Sequence, residues 1–217
     1  MSRPWRPRTS RTLTRVRTGP QLRELTTERF TAELDALTAI YALAMDAPQD
    51  ELPGRRSIME RHCGYPAFRA IVAVLGGEQE VPVGFAYGFH GAPGQWWHDL
   101  VRDSVAAQHG REAATFWLGD PFEIAEVHVH PAHQGRGTGR AMMEHLAAGR
   151  PERTALLSTP QGHIRARRLY RSLGFTDLLP GFTFPGAGPA YAIMGVALPL
   201  PGLPPDRSDR SASPSRW

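Results

Sequence analysis

The chain has 217 residues, 41% of them hydrophobic and 21% charged, an ordinary composition for one globular domain with room for a core. No apolar run approaches the roughly 18 residues that span a bilayer, and the single cysteine, Cys63, excludes an internal disulfide. The formal charge of +4 sits in the ends: residues 1–19 carry six arginines and no acid, while residues 20–198 hold 16 arginines against 19 acids. The basic balance therefore points to no nucleic-acid-binding face.

The Arg-rich start lacks an apolar stretch and does not read as a secretory signal. A cytoplasmic location is expected, with no membrane and no nucleic-acid partner. Residues 1–19 and the Pro/Ser-rich residues 199–217 read as disordered tails around a single domain at 20–198. Leu13, Arg15 and Arg17 alternate with other residues and suggest a first strand. From Thr31 to Met45, Leu34, Leu37, Ile40, Tyr41 and Ala44 form the apolar stripe of an amphipathic helix. Pro53 suits the start of a second helix running to about His62. Phe68–Leu75 and Val81–Phe89 read as neighbouring strands, the second with Val83, Phe85, Tyr87 and Phe89 on one face. Residues 91–120 read as a loop leading into two short helices, about 98–108 and 111–118, rich in aromatics: Trp96, Trp97, Phe116 and Trp117. Local packing is the commoner role for such residues, and a binding box is the alternative.

The stretch from Phe122 to Ala148 organises the rest. Ile124–Val129 is a strand with Val127 and Val129 in period two, and Pro131 ends its pairing. Gln134, Gly135, Arg136, Gly137, Thr138 and Gly139 form a turn. Met142, Met143, Leu146 and Ala147 then fall at helical spacing until Gly149 and Pro151 stop the helix. Glycines leave the turn amides bare, and the first N–H groups of the helix have no intrahelical partner. Together they suit a phosphate or pyrophosphate, and Arg136 and Arg140 add forked cationic donors. The spacing is neither G-x-G-x-x-G nor a P-loop, since the chain contains no lysine at all. On spacing alone, a glycine-rich helix start without a ligand remains equally open. Beyond it, Thr154–Ser158, Phe175–Leu179 and Ala190–Leu198 read as strands. His163–Leu173 reads as a helix closed by Gly174. This element order suggests a mixed α/β sheet with helices on its faces.

Gln134-x-x-Gly137-x-Gly139 after a strand ending Val-His-Pro resembles the acetyl-CoA signature of the GNAT superfamily of N-acetyltransferases. A second block is similar to that family's next motif: His163, Ala166, Leu169, then Tyr170-Arg171-Ser172-Leu173-Gly174-Phe175. The close resemblance covers about Phe122 to Leu179 and reaches loosely back to Arg69. Against the simplest family pattern, residues 91–120 look like an insertion, which would form an acceptor-pocket wall or a dimer surface. It implies an α/β (α+β) fold with a mostly antiparallel central sheet, flanked by helices and splayed at the acetyl-CoA site. It also implies transfer of an acetyl or short acyl group from CoA to a primary amine, here expected to be that of a small molecule. A protein N-terminal or lysine acetyltransferase is one alternative; a non-catalytic acyl-CoA-binding module is another. Oligomeric state is left open, a homodimer included.

The resemblance assigns the cofactor to the turn residues Gln134, Gly135, Arg136, Gly137, Thr138, Gly139 and Arg140. It adds the strand backbone at Val127, His128 and Val129, whose N–H groups would also meet the oxyanion. His163 stands where the family usually has Asn and offers a different donor geometry. Tyr170 matches the family's general acid; a tyrosine that only packs beneath the cofactor is the alternative. Two carboxylates compete as base. Glu123 corresponds to the position where some relatives keep a Glu or His, and Glu126 lies nearer the reaction centre along the chain. Their opposite parity lets only one face the acceptor in a regular strand. Some relatives carry a Glu on the next strand, where this chain has Ser158. His128, His130 and His133 lack a fourth ligand, so no metal is expected. Cys63 is not needed as a nucleophile for direct amine attack.

Overall fold

The computed structural model describes residues 19–76, 80–186 and 188–202. The strand suggested by Leu13, Arg15 and Arg17 lies outside the described residues. The first strand described, β1, is Gln21–Leu25, which the sequence reading missed. It runs antiparallel to β2 (Arg69–Leu75), which pairs with β3 (Val81–His90). The other strands are β4 (Pro121–Val129), β5 (Thr154–Pro160), β6 (Thr176–Phe182) and β7 (Tyr191–Ala197). They complete one seven-stranded sheet in the order β1-β2-β3-β4-β5-β7-β6. Every pairing is antiparallel except β4 with β5.

That exception shapes the molecule. The parallel pairing of β4 and β5 covers only Pro121, Phe122 and Glu123 against Thr154, Ala155 and Leu156. Beyond Glu123 the two strands part, and β4 keeps a ladder on its β3 edge alone.

Helices cover both faces. The Thr26 side chain caps α1 (Thr27–Ala32) by accepting from the Arg29 N–H. Glu33 bends the chain into α2 (Leu34–Met45), and Asp46 ends α2 in the left-handed region at φ 51°. Pro53 sits in the first turn of α3 (Leu52–His62), where its missing donor costs nothing. Leu34, Leu37 and Ile40 of α2 pack with Val72, Phe85 and Tyr87 on one face of the sheet. On the other face, Met142, Met143 and Leu146 of α6 (Thr138–Ala147) pack with Ile71, Phe122 and Ile124. Tyr170 and Leu173, in and just after α7 (Ile164–Ser172), join that core. Burying each such large apolar side chain stabilises the fold by about 1.5–3 kcal/mol.

Residues 91–120 form α4 (Trp96–His109) and α5 (Arg111–Leu118), close to the expected pieces. Val101, Val105 and Leu118 pack on Leu156, Leu178 and Ile193. His98 Nε2 donates to the Leu118 carbonyl at 2.9 Å, and Thr154 Oγ1 donates to the Trp117 carbonyl at 2.7 Å. Leu156 faces the same way as its partner Glu123, and Glu123 as its partner Phe89. Hence α4–α5 and α2–α3 lie on the same side of the sheet, over its two halves, with the parting of β4 and β5 between them.

Two readings of strand parity need correction. Val83 was expected to share a face with Phe85, Tyr87 and Phe89. The β2–β3 register passes from Ala73↔Gly84 to Val74↔Pro82, and this bulge turns Val83 onto the opposite face, into the α6 core. The second correction concerns β4. Among the described residues no helix is long and apolar enough to cross a membrane.

Candidate active site

A cavity of about 970 Å³ opens where β4 and β5 part. One half is made by backbone. Gly135 and Gly137 adopt φ 75° and 84°, values that side-chain-bearing residues rarely reach, and Gly137 stands at the N-cap of α6. The turn therefore presents its amides, with the positive end of α6, to the cavity. Gln134 holds the turn in place: its Nε2 donates to the Val129 carbonyl at 2.9 Å, and its Oε1 accepts from Arg165 Nη1 at 3.1 Å. Thr138, Gly139 and Arg140 line the cavity, as do Val127, His128 and Val129. With no β5 partner beyond Glu123, alternate backbone groups of β4 face the gap.

The candidate cationic donors behave differently from the reading above. Arg136 is exposed and does not line the cavity. Arg140 is turned toward α7, where Nη2 reaches Ser172 Oγ at 2.5 Å while Nη1 pairs with Glu144 at 3.1 Å. Arg165 at the start of α7, which the sequence reading did not single out, lines the cavity as well. His163 also lines it and occupies the N-cap position of α7. Ser158 of β5 is part of the same wall.

The second correction is chemical. Glu126 pairs with Tyr87, but Gly88 pairs with Ile124, so Ala125 is an extra residue in β4. This bulge restores common parity: Glu123, Glu126 and His128 lie opposite Phe89, Tyr87 and Phe85, and all project to the α2–α3 side. Both carboxylates line the cavity, and opposite parity no longer chooses between them.

Their surroundings do. Glu126 is 7% exposed and fully engaged. Arg55 Nη1 of α3 donates to its Oε1 at 2.9 Å, and His128 Nε2 lies 2.5 Å from its Oε2. Burial opposes its charge, but the hydrogen bond with His128 and the charges beside it outweigh burial and hold the carboxyl below its ordinary value. The Arg55 guanidinium also lies over the Tyr41 ring, 4.7 Å from its centroid. Glu123 is 3% exposed and has no such company. Its Oε1 is buried without a hydrogen-bond partner. Burial, reinforced by the Asp99 charge, pushes its carboxyl up to about 8. A Cβ built on Gly91 would lie 2.3 Å from Glu123 Oε1, so the carboxyl rests directly on that glycine.

Tyr170 lines the same cavity from α7, and among the described residues its hydroxyl makes no hydrogen bond. Burial, with the Glu126 charge adding to it, holds its phenol well above the usual range, in the protonated form. His62 Nδ1 shares a hydrogen bond with Tyr87 Oη at 3.0 Å. Burial lowers His62 to about 4 against the opposing pull of Glu126, with Arg61 and Arg55 assisting, so the ring is neutral at physiological pH. Aromatics complete the cavity wall. Tyr65 follows α3, Phe89 lies in β3, Trp96 and Trp97 open α4, and Phe184 and Tyr191 flank the β6–β7 connection. The aromatic pairs of the insertion thus divide: Trp96 and Trp97 form cavity wall, while Trp117 packs against β7 at Gly195.

Among the described residues no three His, Cys, Asp or Glu side chains converge as a metal set. His128 is turned to Glu126, and His130 Nδ1 accepts from the Ala132 N–H at 3.2 Å. Cys63 Sγ donates to the Met59 carbonyl within α3.

Comparison with known proteins agrees with this architecture. Residues 71–177 match the family model for the acetyltransferase (GNAT) domain. The GCN5-like protein acetyltransferase Rv2170 of Mycobacterium tuberculosis is 46% identical over 122 residues, 54% of this chain and 59% of that protein's length. The chain thus spans less than two thirds of that relative. Among solved structures, Arabidopsis thaliana NAA60 in complex with a bisubstrate analogue has a TM-score of 0.57 at 17% identity, covering 82% of this chain and 99% of that one. The protein yncA of Salmonella typhimurium, solved with its cofactor acetyl-CoA, has a TM-score of 0.51 at 21% identity, covering 87% of this chain and 98% of that one. With its glycine turn and parted strands, the chain carries a GNAT-superfamily acetyltransferase domain, matched over residues 71–177.

Proposed function

We propose that the protein transfers an acetyl group from acetyl-CoA to the primary amine of a small molecule, by direct attack with both substrates bound. The observation that carries this reading is one cavity holding the glycine turn, the free edge of β4, Tyr170 and a buried carboxyl without a partner. Acetyl-CoA supplies the acyl group as a thioester. The turn amides at Gly135–Gly139 and the α6 N-terminus fit its pyrophosphate, and the unpaired edge at Val127–Val129 fits its amide-bearing arm.

Glu123 is the base in this reading. An amine near pKa 10 arrives protonated, and a carboxyl near 8 is matched to take its proton far better than an ordinary carboxylate. Glu126 is removed from that role, because Arg55 and His128 hold its charge. A free N–H of the β4 edge meets the developing oxyanion. Tyr170, kept protonated, donates to the departing sulfur.

The M. tuberculosis relative, a GCN5-like protein acetyltransferase, favours a second reading, a protein amine as acceptor. The two separate on a simple assay. Thiol release from acetyl-CoA with a panel of small amines, run beside a lysine-containing peptide, supports the first reading if the small amines have the higher kcat/KM. A preference for the peptide supports the second. A melting midpoint that rises with CoA and acetyl-CoA, no turnover on either panel and no effect of Tyr170→Phe would leave a non-catalytic binding module.

A further inference from the structure

Resting on that reading, we propose that the acceptor carries a single cationic centre on an aromatic or apolar body, its amine at Glu123 and its body against the aromatic wall. The charge inventory of the cavity leads there. Among the described residues only two acidic side chains line it, Glu123 and Glu126. Glu126 is already matched by Arg55 at 2.9 Å and His128 at 2.5 Å. That leaves one buried carboxyl to receive one ammonium. The other charged groups on the α3 side are Arg55 and Arg61, so a second cationic centre on the acceptor meets guanidinium rather than carboxylate. His62, beside them, is neutral and adds no anion.

The rest of the wall offers apolar area. Trp96 is 63% exposed, unusual for so large an apolar side chain, and it lines the cavity. Its ring leans on Phe184 at 5.7 Å between centroids, and Phe184 meets Tyr191 at 5.0 Å. Phe89, opposite Glu123 in the β3–β4 register, contacts Tyr65 at 4.8 Å and His62 at 4.9 Å. Rings from the insertion, from β3 and from the β6–β7 connection therefore line the same cavity as the one carboxyl. Such surfaces take up a planar or apolar body through area burial and edge contacts. An indole face can also hold a cation, and that arrangement would produce the opposite ranking of acceptors.

The experiment compares 2-phenylethylamine with 1,5-diaminopentane on the full chain. Turnover is read by thiol release, and binding to the CoA-saturated protein by calorimetry. At least a tenfold higher kcat/KM and tighter binding for 2-phenylethylamine are expected. Trp96→Ala should raise its KM several-fold while leaving that of the diamine, the melting midpoint and acetyl-CoA binding unchanged. Equal or better use of the diamine overturns the proposal, as does a Trp96→Ala effect common to both amines. Tighter binding of 2-phenylethylamine without turnover of any amine would sink the transferase reading and leave the acceptor-site assignment standing.

Discussion

The two halves of the cavity are built by different means. The half proposed for the cofactor is backbone: a turn whose glycines reach positive φ, a helix N-terminus, and a strand edge exposed because its neighbour departs after three residues. The half proposed for the acceptor is side chain: carboxylates from β4, Arg55 and His62 from α3, and rings from the insertion and the β6–β7 connection. A backbone site tolerates most changes of residue type but fails where geometry demands glycine. A side-chain site can be altered one group at a time.

Substitutions can sharpen that contrast. The largest effect is expected in the backbone half. Gly137→Glu places a carboxylate at the phosphate end of the turn and should remove the acetyl-CoA-induced rise in melting midpoint. Gly137→Ala has open space around its Cβ but strains φ 84°, at a cost of about 1 kcal/mol in stability. It should retain measurable CoA binding. Unimpaired CoA binding by the Glu variant would refute the turn assignment.

In the side-chain half, Glu123→Gln should lower kcat/KM by roughly 100-fold or more, the usual range for a general base. The wild-type pH profile of kcat/KM should rise toward an apparent pKa of about 8, and the variant should lose that limb. Stability gives an independent readout with the opposite sense. Because the folded-state pKa of Glu123 is raised, the native state binds more protons than the unfolded chain between about pH 4.5 and 8, and wild-type stability falls as pH rises through that window. Glu123→Gln removes this dependence, so its melting midpoint should gain on wild type as pH climbs from 5 to 8. A constant gap would mean that Glu123 titrates normally.

Third comes the Arg55–Glu126 pair. Arg55→Met leaves a buried carboxylate with His128 alone and should cost about 2 kcal/mol. This is less than the roughly 3–5 kcal/mol of a fully buried pair, because Arg55 is one-third exposed. Adding Glu126→Gln should recover most of the loss, as measured by urea unfolding. Equal or additive losses would show that the pair is not coupled. Gly91→Ala should have the smallest effect. The new methyl displaces the flexible end of Glu123 rather than backbone, so a few-fold fall in kcat with an unchanged melting midpoint is expected.

The same contrast decided what could be read from sequence. The backbone half was legible because its requirements are written in residue types: glycines at Gly135 and Gly137, Pro131 after the strand, and Met142, Met143 and Leu146 in helical period. The sheet was legible wherever β-branched and aromatic residues ran together, as in β2 and β3. It was not at β1, where Gln21–Leu25 has no β-branched residue and forms an edge strand. Arg55, Arg61 and His62 gave no signal, since an arginine or histidine on a polar helix face looks the same whether it meets solvent or a carboxylate 71 positions away, as Arg55 does. Parity failed at both bulges because an extra residue leaves no compositional mark at Val83 or Ala125. Arg140 lines the cavity as its place in the turn suggests, but its tie to Ser172 of α7, 32 positions on, left no mark in the sequence.

The bulge at Ala125 makes residue count part of the chemistry. If that one alanine were deleted, residues on one side of the gap would have to exchange faces to keep the ladder with β3. Either Glu123 or the Glu126–His128 pair would then turn toward the methionine-rich core under α6, where a carboxylate has no partner. Insertions and deletions in this strand are therefore more dangerous than most substitutions. Two related chains can keep the same acids and still differ in which of them is presented to the acceptor.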